Sequence, residues 1–268
     1  SYIWLLDCFS FSAILARMEV KQMLDINIEK GIAVLAINNP PVNALSSELI
    51  AKLKLTLREL NQKTDVKVLI ITGSGKTFCA GADIKELSQI KTSREGERFA
   101  RNGHELMDMV ELSDMPVIAA INGACIGGGN ELAIACHMRI ASENAWFSQP
   151  EINLGIIPGF GGTQRLPKLV GKGRAVELIL TGEKITAKEA LSTGLLNKVV
   201  PPDKVMDEAR GVAEKIINKG RIAIRSCLKA INGAEAEAVL FGRVCETGDK
   251  EEGIKAFLEK RQAIFKER

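Results

Sequence analysis

Two glutamates twenty residues apart hold the chemical interest of this 268-residue chain. Glu131 closes the run Gly127-Gly128-Gly129-Asn130-Glu131, and Glu151 closes Gln149-Pro150-Glu151. Each sits in an apolar stretch beside a glycine-rich turn. A carboxylate set among Ile, Ala and Phe is costly to bury unless it is hydrogen-bonded. Two such groups facing one cavity can divide a proton transfer, one accepting while the other donates. The glycines add a second possibility. At the mouth of a helix they let a ligand approach main-chain N–H groups closely, and the helix N-terminus favours negative charge there. For an acyl substrate that is one half of an oxyanion hole. The turn Phe78-Cys79-Ala80-Gly81-Ala82-Asp83-Ile84 can supply the other half, a second N–H aimed at the same oxygen. Taken singly, each feature also has a structural reading: a helix-start glutamate, a capping residue after Pro150, a tight turn, a strand-to-helix connection.

Other motifs are weaker. Gly73-Ser74-Gly75-Lys76-Thr77 resembles the end of a phosphate-binding loop, but Ile70 stands where the leading glycine must be, so it reads as a solvated turn. The glycines at 127–129 and 159–162 do not form a dinucleotide fingerprint. With only His104 and His137, a His-rich metal site or His-based catalysis is a poor fit, and His137 reads as structural. Cys8, Cys79, Cys125, Cys136, Cys227 and Cys245 are scattered without a Cys-x-x-Cys, which suits reduced thiols and a cytoplasmic location. A hydrophobic content of 46% with 26% charged residues is that of a globular protein. A net charge of +3 is too mild to argue for nucleic acid.

These residues need a scaffold. Segments 25–29 and 32–38 flank Lys30-Gly31 as a hairpin, and 46–60 has helical spacing after Ser46-Ser47-Glu48. Buried strands are expected at 66–72, 116–122 and 138–142, with helices at 93–112 and 129–136. Alternation from about 24 to 200 argues for α/β layers with parallel strands. After Val200-Pro201-Pro202, segments 203–218, 221–231 and 235–266 are helical in pattern. Residues 1–17 are apolar, interrupted by Asp7 and without a basic lead. They read as an extension outside the native domain, which starts near Met18 or Met23, rather than as a signal or a membrane anchor.

The chain resembles the enoyl-CoA hydratase (crotonase) family. Asn43-Ala44-Leu45, Ala80 to Ile84, Pro116 to Ala120, Gly127 to Glu131, Gln149-Pro150-Glu151, Gly155 to Gly159 and Gly161 to Leu166 carry the resemblance, from about residue 24 to the C-terminus. It implies a spiral of ββα units over 18–200 and a helical region at 201–268 that builds homotrimers, commonly paired into hexamers. It also implies that the Ala82 and Gly128 N–H groups hold a thioester carbonyl oxygen, with Glu131 activating water and Glu151 carrying the α-proton. Ala80, Ala82, Asp83, Ile84, Lys85, Gly127, Gly128, Phe241 and Lys260 would line the coenzyme A path. No metal or redox cofactor is implied, coenzyme A being part of the substrate. Keeping both glutamates favours hydration over the alternative, Δ3–Δ2 isomerisation of the double bond. An alternative of another class is RNA binding through a scattered set at Lys52, Lys54, Lys63 and Lys67. Departures from the family pattern are His137 in place of Asp, Asn39-Pro40-Pro41-Val42 in place of Arg-Pro-Lys-Ala, and Cys245 and Gly248 in the tail.

Overall fold

The structure, a computed structural model, describes residues 23–266, so the expected extension at 1–17 lies outside the described residues. The chain opens with the expected hairpin, β1 (Leu24–Glu29) and β2 (Ile32–Ile37), paired antiparallel. Helix α1 (Ser47–Gln62) begins where the Ser46 side chain accepts the Leu49 N–H. Next come β3 (Val68–Gly73), β4 (Thr77–Cys79), α2 (Ile84–Gln89) and α3 (Ser93–Glu111). The pattern repeats as β5 (Val117–Ile121), β6 (Ala124–Ile126) and α4 (Gly128–Ala135), then as β7 (Met138–Ser142), β8 (Trp146–Ser148) and a 3-10 turn at Pro150–Leu154. Helices α5 (Gly162–Val170) and α6 (Lys172–Thr181), strand β9 (Ile185–Thr186), helix α7 (Ala187–Ser192) and strand β10 (Lys198–Val200) follow. The chain ends in α8 (Val205–Ile217), α9 (Arg221–Ile231), α10 (Glu237–Cys245) and α11 (Gly248–Leu258).

Two sheets result, ordered β1-β2-β3-β5-β7-β10 and β4-β6-β8-β9. All pairings are parallel except those of β1 with β2 and of β8 with β9. The pairs β3–β4, β5–β6 and β7–β8 each start in the first sheet and finish in the second before turning into a helix or 3-10 turn. Stacking these units gives the expected ββα spiral. The run Val68-Leu69-Ile70-Ile71 is continuously apolar because it is covered on both sides. Leu69 and Ile71 join the main core with Leu49, Leu53, Leu106, Phe78 and Phe147. Val68 and Ile70 face Val205, Ala209 and Ala213 of α8. So α8 belongs to the layered body even though it follows the Pro201-Pro202 step.

The helical pattern at 235–266 resolves into two helices instead of one. Thr247 interrupts it, its side chain accepting the Lys250 N–H as the cap of α11. The strands β4, β6, β8 and β9 span two or three residues each, too short for any periodicity to show. Among the described residues no helix is long and apolar enough to cross a membrane.

Helix α4 sits hard against β4. A Cβ built on Gly129 would lie 2.1 Å from the Cys79 carbonyl oxygen, whereas one on Gly211 of α8 would meet open space. Gly129→Ala is expected to destabilise by roughly 1–3 kcal/mol through overpacking. Gly211→Ala should stabilise by up to about 1 kcal/mol through helix propensity. Denaturant midpoints of the two variants check both signs.

Candidate active site

The turns that precede α2 and α4 meet at close range. Gly81 has φ +93, and a Cβ there would fall 3.1 Å from the Gly128 nitrogen. A Cβ on Gly128 would fall 3.2 Å from the Ala82 nitrogen. Only glycines allow this approach. A parallel bridge between Leu45 and Ala82 uses the Gly81 carbonyl and the Asp83 N–H, at 2.7 and 3.2 Å. It leaves the N–H of Ala82, itself a residue of the cavity lining, out of the bridge. Gly128 is the first residue of α4, where an N–H has no intrahelical partner. Among the described residues neither the Ala82 nor the Gly128 N–H has an acceptor.

Both glutamates open onto the same space. Glu131 is 1% exposed, and its Oε1 accepts the N–H groups of Phe160 at 2.8 Å and Gly162 at 2.7 Å. Glu151, at the start of the 3-10 turn, is half-buried. The Gln149 amide lies against it; with the amide oxygen and nitrogen exchanged, the orientation that gives both a partner, the nitrogen donates at 3.2 Å to each carboxylate oxygen. Burial and then the Glu151 charge push Glu131 up to about 8, against the pull of the two N–H groups and the nearby Arg165 guanidinium. Burial pushes Glu151 up to about 7. The two carboxyls titrate as a pair, which holds one proton in that range. This is the condition for one carboxyl to act as base while the other acts as acid.

A cavity of about 280 Å³ joins these groups. Ala80, Ala82, Ile84, Gly128, Glu131 and Glu151 line it, and Leu87, Ile90, Phe99, Leu154, Ile156, Ile157 and Phe160 make its apolar wall. Phe99 and Phe160 pack with ring centroids 5.4 Å apart. An apolar wall around two carboxyls and two free N–H groups keeps the local dielectric low and each electrostatic contact strong.

The remaining expected site residues have other places. Asp83 caps α2, its Oδ1 accepting the Lys85 N–H at 2.8 Å, and the Lys85 side chain is exposed. Gly127 (φ +50) gives its N–H to the Ser148 carbonyl, and a Cβ on it would lie 2.7 Å from Glu151 Oε1. Phe241, 70% exposed on α10, and Lys260, beyond α11, do not line the cavity. His137 is structural, as expected: its Nδ1 accepts the Val117 N–H at 2.9 Å and its Nε2 lies 3.2 Å from the Glu111 carbonyl. Burial lowers its pKa and keeps it neutral.

Sequence reading missed the donors to Glu131. Phe160 and Gly162 lie in a glycine-rich run just before a helix, and that arrangement of free N–H groups was the available signal. Arg165 falls inside the Gly161 to Leu166 motif with no role of its own in the sequence. The apolar wall is non-local as well, since Leu87, Phe99 and Ile156 come from three separate segments.

A ββα spiral with two free N–H groups and two carboxyls around one apolar cavity defines an acid–base site for a carbonyl compound. The sequence matches the Enoyl-CoA hydratase/isomerase family over residues 27–268, and this chain belongs to that family. It is 44% identical over 248 residues to the crotonyl-CoA hydratase of Syntrophomonas wolfei subsp. wolfei, covering 88% of this chain and 95% of that protein. It is 42% identical over 256 residues to the short-chain-enoyl-CoA hydratase of Clostridium acetobutylicum, covering 91% and 97%. The crystal structure of enoyl-CoA hydratase from Bacillus anthracis superposes with a TM-score of 0.87 at 39% identity, over 92% of this chain and all of the other.

The carboxyl pair also has a cost in stability. An unfolded glutamate loses its proton near 4.5, whereas the folded pair keeps protons up to about 7 and about 8. Between those values the folded chain binds more protons than the unfolded one, so this contribution to stability falls as pH rises through the window. Glu131→Gln is therefore expected to gain stability relative to wild type as pH rises from about 4.5 to about 8. Thermal midpoints of the two proteins across that range read the difference.

Proposed function

We propose that this chain is an enoyl-CoA hydratase, adding water reversibly across the 2,3 double bond of trans-2-enoyl-CoA to give 3-hydroxyacyl-CoA. The observation that carries this is the convergence of one buried and one half-buried carboxyl with two acceptorless N–H groups on one apolar cavity. In the proposed reaction the Ala82 and Gly128 N–H groups form an oxyanion hole for the thioester carbonyl. Attack of water on the β-carbon moves charge onto that oxygen, and each fixed donor lowers the barrier by about 3–4 kcal/mol. Glu131, held by the Phe160 and Gly162 N–H groups, takes the proton of the attacking water. Glu151, carrying the proton the pair holds at the start, delivers it to the α-carbon, and the proton taken by Glu131 then passes to Glu151 to restore the pair. Every step is acid–base chemistry, and the groups it uses all belong to the chain.

Hydratase names among the relatives support the same substrate class. The Ala80 to Lys85 turn at the cavity mouth is the proposed track for coenzyme A. Phe241 and Lys260 are proposed to reach it across a subunit boundary in a homotrimer or a dimer of trimers. Exposed Ile231 (79%), Phe257 (82%) and Leu258 (73%) are large apolar side chains left uncovered on the helical tail, which supports such an assembly. Cys79, Cys125 and Cys136 are buried free thiols, which fits a reducing cytoplasm.

The decisive assay follows loss of the conjugated-thioester absorbance of crotonyl-CoA. Wild type should hydrate it rapidly, and Glu131→Gln and Glu151→Gln should each lose roughly 10²–10⁴-fold in kcat, the usual contribution of general acid–base catalysis. A folded wild type inactive on crotonyl- and longer 2-enoyl-CoA would reject the assignment; turnover of 3-enoyl-CoA in its place would make the chain an isomerase. Sedimentation should give a mass three or six times that of one chain, and a monomer would reject the proposed assembly.

A further inference from the structure

Arg165, on α5, is 6% exposed and does not line the cavity, yet it is tied to the residues that hold Glu131. Its Nη1 donates to the Phe160 carbonyl at 3.2 Å. The N–H of that same Phe160, with that of Gly162, holds Glu131 Oε1. On the other side the guanidinium is fixed to α3: Nε donates to Glu111 Oε2 at 2.8 Å and Nη2 to Asp108 Oδ1 at 2.5 Å. Gly161, between the two donor residues, has φ +107, and a Cβ there would lie 2.0 Å from Arg165 Nη1. The close approach of guanidinium to turn is thus built into the sequence.

We propose that Arg165 is a positioning residue for Glu131, acting through the 160–162 turn and never touching substrate. The proposal rests on the hydratase reading for its kinetic consequence, but the hold on Glu131 is independent of the reaction. A planar fork can grip two carboxylates on one side and a carbonyl on the other, which a lysine ammonium cannot do with fixed geometry. The charged and titratable groups around the assembly are Glu151 facing Glu131, Asp108 and Glu111 on α3, and His104 on α3, whose Cε1 would lie 3.6 Å from a Cβ on Gly161. With Arg165 removed, the turn loosens and Glu131 loses both a nearby cation and well-aimed donors, so its proton is held more tightly.

The test compares Arg165→Met and Arg165→Lys with wild type, using crotonyl-CoA across the range in which the carboxyl pair titrates. Arg165→Met is expected to lose roughly 10²-fold in kcat, the cost of a misplaced catalytic group, with KM nearly unchanged. The limb of its pH profile set by the carboxyl pair should move to higher pH. Arg165→Lys should lose kcat while keeping that limb near its wild-type position. An infrared titration of the Glu131 carboxyl, assigned with Glu131→Gln, gives a readout that needs no turnover: its midpoint should rise in Arg165→Met. If Arg165→Met does not fold, Asp108→Asn and Glu111→Gln, which release the fork from α3, should show smaller changes of the same sign. A folded Arg165→Met with the wild-type carboxyl midpoint and pH profile would overturn the proposal, whatever its total activity. If crotonyl-CoA is not hydrated by wild type but the infrared midpoint still rises, the hydratase reading fails and the positioning role stands.

Discussion

A carboxylate taken out of water must be given donors, and for Glu131 they come from residues 29 and 31 positions further along the chain. Its own helix start cannot supply them. That start instead presents the Gly128 N–H to the cavity, so the α4 N-terminus and the α5 N-terminus serve different charges. The first is open to a ligand; the second is spent on holding the glutamate. Most of what surrounds the site follows from keeping those two helix starts at fixed positions.

Helix α3 is the beam on which this depends. It is fastened to α1 by the buried Lys54 ammonium, which donates to Asn102 and Glu105 at 2.8 and 2.7 Å. It is fastened to α5 by the Arg165 fork on Asp108 and Glu111. The helix also carries Phe99, part of the cavity wall, and Gly103, where a Cβ would collide with the Phe160 ring at 2.0 Å. The same helix therefore shapes the apolar wall and anchors the turn that places the carboxylate. Isolated surface ion pairs contribute little, but here one partner is buried and has three acceptors, so removing it would leave charges without compensation.

Glycine does the complementary work. At positions 81, 127 and 161 the backbone has positive φ, and a side chain would strike Ile126 or Gly128, Glu151, or Arg165 respectively. The site is assembled by main chain packed against main chain and against charged side-chain ends. Its precision comes from the ββα spiral, which brings the ends of β4, β6 and β8 side by side in one sheet.

Much of this was legible in the sequence because it is local. Ser46 before α1, the apolar runs of β3, β5 and β7, the glycine turns and the two glutamates each announce themselves within a few residues. The order of those motifs pointed to the fold and to a carbonyl-directed acid–base chemistry. What the sequence could not determine is non-local. It does not show that Glu131 is satisfied from the 160–162 turn, that Arg165 reaches back to α3, or that α8 closes the first sheet. Nor does it show that the 235–266 pattern breaks at Thr247, where a side-chain cap competes with helix continuation. Strands of two or three residues have no period to read, and a buried carboxylate's partners are chosen by which helix starts the chain's spiral sets beside one another. Those distances exist only once the layers have packed.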